Sequence, residues 1–188
     1  MSLRILHVAP YFADAWAYGG IPRVAAALTR GLARRGHQLT VCTTDACDAA
    51  NRLPDRPADA DIDVRVFRNL SNTLAFTWQL YLPIGARRYL QGAVRGFDIV
   101  HIHAHRHALE AVAAGACRRA GVPYVLSPNG TAPRYERRLT VKRLWDAAWG
   151  TRDLHGAARV LAVSAAERAQ LTDLGVPADR VAALPNPV

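Results

Sequence analysis

"LRILHVAPYFADAWAYGGIPRVAAALTRGLARRGHQLTVCTT" (residues 3–44) opens on a short apolar run and closes on another, with a helical period between them. Val24, Leu28 and Leu32 recur with Ala27 and Gly31 on one helix face, and Gly36 after Arg34 and Arg35 is the kind of residue on which helices stop. Pro22 falls in the first helical turn, where its missing N–H costs nothing. A strand, a helix and a second strand make one βαβ unit, which predicts parallel pairing through a right-handed crossover.

The alternation continues along the chain. "IDVRVFR" (62–68), "FDIVHIH" (97–103), "PYVLS" (123–127), "ARVLAVS" (158–164) and "RVAALP" (180–185) bring the strand-like runs to seven. Several are apolar on both faces, as strands covered by helices on each side must be. Between them lie helical patterns over 74–94 (bent or delayed by Pro83), 105–120, 136–153 and, from the capping box Ser164-Ala-Ala-Glu167, on to Gly175. The expectation is an α/β fold, a doubly wound seven-stranded parallel sheet of Rossmann-like type, as one domain over residues 1–188. Residues 45–63 hold six aspartates and two prolines without a period, and read as a mobile surface loop.

Bulk properties narrow the function. No apolar stretch reaches membrane-spanning length, and the first apolar run is too short for a secretion signal. The odd number of cysteines (Cys42, Cys47, Cys117) forms no CxxC pair and points to a reducing, cytoplasmic setting. The net charge of +9 is uneven: residues 64–143 carry thirteen Arg or Lys against three carboxylates. All but Lys142 are arginines, whose planar guanidinium grips phosphate oxygens in pairs. A solvated surface rich in arginine accounts for the same composition.

In an open α/β sheet, ligands gather at the carboxyl ends of the strands. The first such loop carries Tyr11, Trp16, Tyr18 and the pair Gly19–Gly20 directly before a helix N-terminus, a natural anion site. A tight turn alone would also explain the glycines. Neither GxGxxG nor a Walker loop is present. "HIHAHRH" (101–107) would place His101, His103, His105 and His107 on one face of a continued strand, a zinc-like array. The strand should end near His103, however, and no downstream ligand set completes a tetrahedron, so no metal is expected. "SPNGTAPRYERR" (127–138) joins an Asn129-Gly130 turn to Thr131 and to Arg134 and Arg137. Its carboxamide and hydroxyl suit sugar hydroxyls and its arginines an oxyanion, while an ordinary Pro-Asn-Gly turn is the plain alternative. No Ser–His–Asp order, Cys–His pair or acid pair supports a covalent hydrolase.

Taken together, four segments resemble the N-terminal half of the retaining GT-B glycosyltransferases of family 4, the "group 1" kind. They are "GGIPRVAAALTRGLARRGHQLTV" (19–41), "FDIVHIHAH" (97–105), "PYVLSPNG" (123–130) and "AARVLAVSAAERAQLTDLGVPADRVAALPNPV" (157–188). The resemblance implies an acceptor-side domain of an enzyme that moves a sugar from a nucleoside-diphosphate donor to a glycan or lipid-linked hydroxyl, without a cofactor. It implies that Gly19 and Gly20 meet a phosphate, with Tyr11 in the same loop, and that His103 and His105 face the acceptor. Asn129 falls where relatives carry a histidine against the transferred sugar; a carboxamide can hydrogen-bond there but cannot move a proton. Thr131, Arg134, Ser164 and Glu167 complete the implied site, with Asn129 and His103 nearest the chemistry. The family's donor-binding C-terminal domain, with its Glu-x7-Glu element, is not in this sequence, so the chain alone is expected to be inactive.

Two other readings stand beside this one. "FTWQLYLPIGARRYL" (76–90) interleaves aromatic and basic residues and could lie on an anionic membrane, which would place the protein at the inner face of the plasma membrane. A zinc hydrolase built on the histidine run is the other. Nucleic acid is not an expected partner.

Overall fold

The computed structural model describes residues 1–54, 62–132 and 139–186. All seven strands form: β1 (Arg4–Val8), β2 (Gln38–Thr44), β3 (Ile62–Phe67), β4 (Ile99–His103), β5 (Tyr124–Ser127), β6 (Arg159–Ala162) and β7 (Val181–Ala183). They make one all-parallel sheet in the order β3-β2-β1-β4-β5-β6-β7. The winding reverses between β1 and β4, where Val8 lies beside Cys42 on one side and Ile102 on the other.

The helices are α1 (Ile21–Ala33), α2 (Asn72–Trp78), α3 (Ala86–Ala93), α4 (Ala108–Ala120), α5 (Leu139–Trp145), α6 (Thr151–His155) and α7 (Ala165–Asp173). Alternation along β1 sorts the core into two layers. Ile5 joins Leu39, Val41, Ile62 and Val64 beneath Ala25 and Ala26 of α1. Leu6 and Val8 face the other way, with Val100, Ile102, Leu126 and Val160, against Leu90 of α3, Leu109 of α4 and Leu171 of α7. Burying each such leucine or isoleucine contributes about 1.5–3 kcal/mol, so the helices are held to the sheet far more by packing than by propensity.

Two expectations need correction. The pattern over 74–94 is not one bent helix. α2 ends at Gln79 in a left-handed conformation (φ 54°), and α3 begins after Gly85 (φ 80°). Between them the chain pairs backwards: Leu70 N–H donates to Leu82 O, and Ile84 N–H donates to Arg68 O. Pro83, with no N–H, sits between these bonds in an antiparallel bridge with Asn69, a place where no donor is asked of it. The acidic segment is also more ordered than its composition suggests. Asp45 accepts from Asn69 N–H and pairs with Arg52, and Asp48 accepts from the N–H groups of Ala50 and Asn51. Its part over 55–61 lies outside the described residues.

Candidate functional site at the carboxyl edge

Because the strands are parallel, the loops after β1, β4, β5 and β6 share one edge of the sheet. β1 and β6 are three strands apart in that order, roughly 14 Å at the usual spacing. The reversal between β1 and β4 opens the crevice in which doubly wound sheets bind ligands.

The two glycines have different reasons to be there. Gly19 has φ 91°, a conformation that side chains rarely adopt. Gly20 has φ −81° and ψ −29°, which any residue accepts, and a Cβ built on it would meet nothing within 4 Å. Among the described residues, neither conformation nor packing asks for glycine at position 20. Gly20 is the N-cap of α1, and no side chain caps that helix. A bare, uncapped helix start facing open space is a site that can receive an anion. Tyr11 backs this loop: it is buried, with its ring stacked on Tyr18 at 4.7 Å between centroids.

The histidine run does not make the array that simple alternation would give. Ala104 (φ 68°) and Arg106 (φ 71°) are both left-handed, so the strand ends at His103 as expected and the ring sequence is broken. His107 becomes the N-cap residue of α4, which starts three residues later than its pattern suggested. The parallel register instead brings His7 of β1 beside His101. His7 Nδ1 and His103 Nε2 share a hydrogen bond of 2.9 Å, and His101 Nε2 bonds Ser127 Oγ at 2.7 Å. With His101, these rings bring three nitrogens within 4.8 Å of one another, and the His7–His103 contact is shorter than the roughly 3.3 Å between two nitrogens on one zinc. Burial pushes all these rings towards the neutral form: His101 down to about 4, with His7 and His103 well below the ordinary value. His105 falls to about 3, chiefly through burial, with its Nε2 3.9 Å from Asp146. His103 and His105 are thus buried beneath the rim, and neither ring faces open solvent.

At the end of β5, Asn129 (φ 52°) and Gly130 (φ 81°) form a left-handed turn. Asn129 Nδ2 donates to Ser127 O, and its Oδ1 is buried without a hydrogen-bond partner among the described residues. The Thr131 hydroxyl donates to Pro128 O. Ser164 caps α7 as its spacing predicts, its Oγ accepting from Glu167 N–H. Glu167, however, does not bond back to the cap residue as a capping box would have it. Its carboxylate is buried and accepts from Val163 N–H at 2.8 Å and from Gly130 N–H at 2.6 Å. It therefore ties the β5 loop to the β6 loop. Arg134 and Arg137 lie outside the described residues.

Two residues that the sequence did not single out complete the rim. Arg106 grips Asp146 with Nε and a terminal nitrogen (2.8 and 2.9 Å) and donates its other terminal nitrogen to Thr131 O at 2.6 Å. Asp146 opens a π-helical turn (Asp146–Gly150) between α5 and α6. Such turns recur at functional sites. The residue packed beneath the Asp146 carboxylate is Gly150, where a Cβ would lie 2.4 Å from Oδ1. Apart from Arg134, the expected site residues all stand on this one edge, cross-linked by Arg106 and Glu167.

A seven-stranded parallel sheet with its crevice at the β1/β4 reversal and an open glycine corner defines the N-terminal half of a GT-B fold. The model of Glycosyltransferase Family 4 matches residues 18–188, and the chain belongs to that family. No curated protein matches the chain. Among solved structures, Alr3699/HepE of Anabaena in complex with UDP is similar over 99% of this chain and 44% of its own length (17% identity, TM-score 0.57). The catalytic domain of Starch Synthase IV from Arabidopsis thaliana, bound to ADP and acarbose, is similar over 100% of this chain and 52% of its own (14% identity, TM-score 0.58). UDP-GlcNAc 2-epimerase from Neisseria meningitidis, bound to UDP-GlcNAc, covers 98% of this chain and 47% of its own length (14% identity, TM-score 0.54). The chain thus spans about half the length of these structures.

Proposed function

We propose that the chain is the acceptor-side half of a retaining glycosyltransferase that moves a sugar from a nucleoside-diphosphate donor to a hydroxyl of a glycan or lipid-linked saccharide. The observation that carries this reading is the helix start at Gly20, bare and uncapped at the β1/β4 reversal. A diphosphate oxygen there gains the free N–H groups and the positive end of α1, which assist its departure without a metal. Asn129, on the neighbouring loop, turns its carboxamide to a hydroxyl of the transferred sugar, its Oδ1 being buried and unpartnered among the described residues before ligand binds. The sugar is then attacked on the face its leaving group vacates, and the anomeric configuration is kept.

Magnitudes argue that the half is insufficient alone. A helix N-terminus stabilises an anion by ~0.3–1 kcal/mol, and by ~2 in the best geometry. Even millimolar binding requires about 4 kcal/mol. Calorimetry on this chain is therefore expected to find no submillimolar affinity for UDP-, ADP- or GDP-sugars, and tight binding would overturn the half-site reading. Transfer by the complete protein should give, by NMR, a product with the donor's anomeric configuration; inversion would end the retaining assignment.

Gly20→Ala separates a ligand role from a structural one. With no neighbour within 4 Å and an ordinary φ, the alanine should leave stability unchanged or raise it by about 0.4–1 kcal/mol. In the complete protein it should weaken donor binding about tenfold or more, since a methyl group then stands where the phosphate approaches. A stabilised variant that keeps full donor affinity would reduce the glycine pair to a turn.

A further inference from the structure

On the sheet face opposite α1, helices α3, α4 and the α5–α6 run enclose a groove of about 420 Å³. Arg87 enters it from α3, Arg119 from α4, and Trp145, Trp149 and Arg152 from successive turns of the third wall. Arg87, Arg119 and Arg152 are exposed, and among the described residues none has a carboxylate partner. The contrast is with Arg118 at the same groove, which bonds Asp153 and the Tyr124 hydroxyl. Gly115 leaves room for the Arg119 guanidinium, which would stand 3.4 Å from a Cβ at that position. The indole N–H of Trp145 is buried without an acceptor among the described residues, while Trp149 is 50% exposed.

Arg87, Ala108 and Val112 also border a second trough of about 260 Å³, otherwise lined by Leu70, Leu82, Pro83, Ile84 and their apolar neighbours. Leu70 and Ile84 are 65% and 60% exposed there. Uncompensated guanidinium groups, the half-exposed Trp149 beside the partly buried Trp145, and an apolar trough thus lie side by side on one face.

We propose that this face docks on an anionic phospholipid surface. The three free arginines meet lipid phosphates, the two indoles sit at headgroup depth, and the trough takes acyl-chain methylenes. A nucleic acid would satisfy the arginines but would leave Leu70 and Ile84 against water or phosphate, so the apolar trough decides for lipid. The sequence pointed to residues 76–90; the structure draws only Arg87 and its apolar neighbours from that segment and adds α4 and α5–α6. The inference is independent of the transferase reading.

Co-sedimentation of the chain with vesicles tests it. Binding is expected to equimolar phosphatidylglycerol and phosphatidylcholine and not to phosphatidylcholine alone. Arg119→Glu/Arg152→Glu should lower the partition coefficient at least about 25-fold, from roughly fivefold per arginine near an anionic surface. Trp149→Ala should weaken it further, with circular dichroism confirming that each variant is folded. Arg34→Glu/Arg35→Glu, at the far end of α1, removes the same charge away from the groove and should weaken binding much less. Absence of vesicle binding, equal binding to neutral vesicles, or an equal loss in the Arg34/Arg35 variant would overturn the proposal. So would full release by millimolar inorganic phosphate, which would mark a pocket for free phosphate.

Discussion

Lowering the pH from 7 to 4.5 is expected to cost the fold about 2–3 kcal/mol net, a sizeable share of the 5–15 kcal/mol that holds a domain together. The cause is a set of histidines kept neutral by burial. His101 and His107 are pushed down to about 4 and His105 to about 3, against 6.5 in the unfolded chain. A group whose folded pKa is depressed binds its proton more tightly when unfolded. Its contribution is therefore complete above pH 6.5 and drains away as the pH falls below that value. By pH 4.5 each of the three costs about 2–3 kcal/mol. His7 and His103, joined by their ring-to-ring hydrogen bond, shift in the same direction.

Two buried acids oppose the loss. Burial raises Glu110 to about 8 and Asp153 to about 6, so protonation favours the folded state and together they return about 5 kcal/mol over the same interval. Their window also gives a second arm. Glu110 should make the protein lose about 2–3 kcal/mol as the pH rises from 6 to 9, because the folded state must then hold a buried carboxylate without a hydrogen-bond partner among the described residues. Urea denaturation across the range should trace a dome, and Glu110→Gln should flatten its alkaline side while steepening its acid limb. Stability that stays level from pH 7 to 4.5 would mean the rings are solvated and the packing described around β1 and β4 is wrong.

The sheet was legible because its evidence is local: seven apolar runs of strand length, separated by helical periods or by loop. α2 and α3 were not, because what divides them is long-range. The bonds from Leu70 N–H to Leu82 O and from Ile84 N–H to Arg68 O outcompete a helix that periodicity alone favoured. The site divides in the same way. Gly19–Gly20, the Asn129–Gly130 turn and the Ser164 cap announce themselves through residue types that particular backbone geometries demand. Glu167 was visible as a capping residue, but its bond to Gly130, 37 positions away, depends on β5 and β6 being neighbours. His7 looked like any strand residue until the β1–β4 register set it beside His101. The one advance signal for Asp146 was its rarity, a carboxylate at the end of an arginine-rich stretch.

Arg106→Ala should be among the most damaging single changes at the rim, costing about 3–5 kcal/mol. The pair it breaks is almost wholly enclosed, with side-chain exposures of 8% for Arg106 and 5% for Asp146. Removing the guanidinium takes two charge-assisted bonds from a carboxylate closed off from water, and it also strips the donor from Thr131 O. At 2–4 °C per kcal/mol for a chain of this size, the melting temperature should fall by roughly 10 °C. Arg106→Lys should recover only part of this, since an ammonium cannot bond both carboxylate oxygens and reach Thr131 O in the same plane. The double variant Arg106→Ala/Asp146→Ala distinguishes charge burial from lost packing. If the carboxylate's lost charge partner is what hurts, deleting the carboxylate as well should leave the double variant more stable than Arg106→Ala alone. Costs that simply add would show the ion pair to be incidental. The register between the β4 and β5 loops, and with it the placement of Asn129, would then rest on Glu167 and the sheet instead.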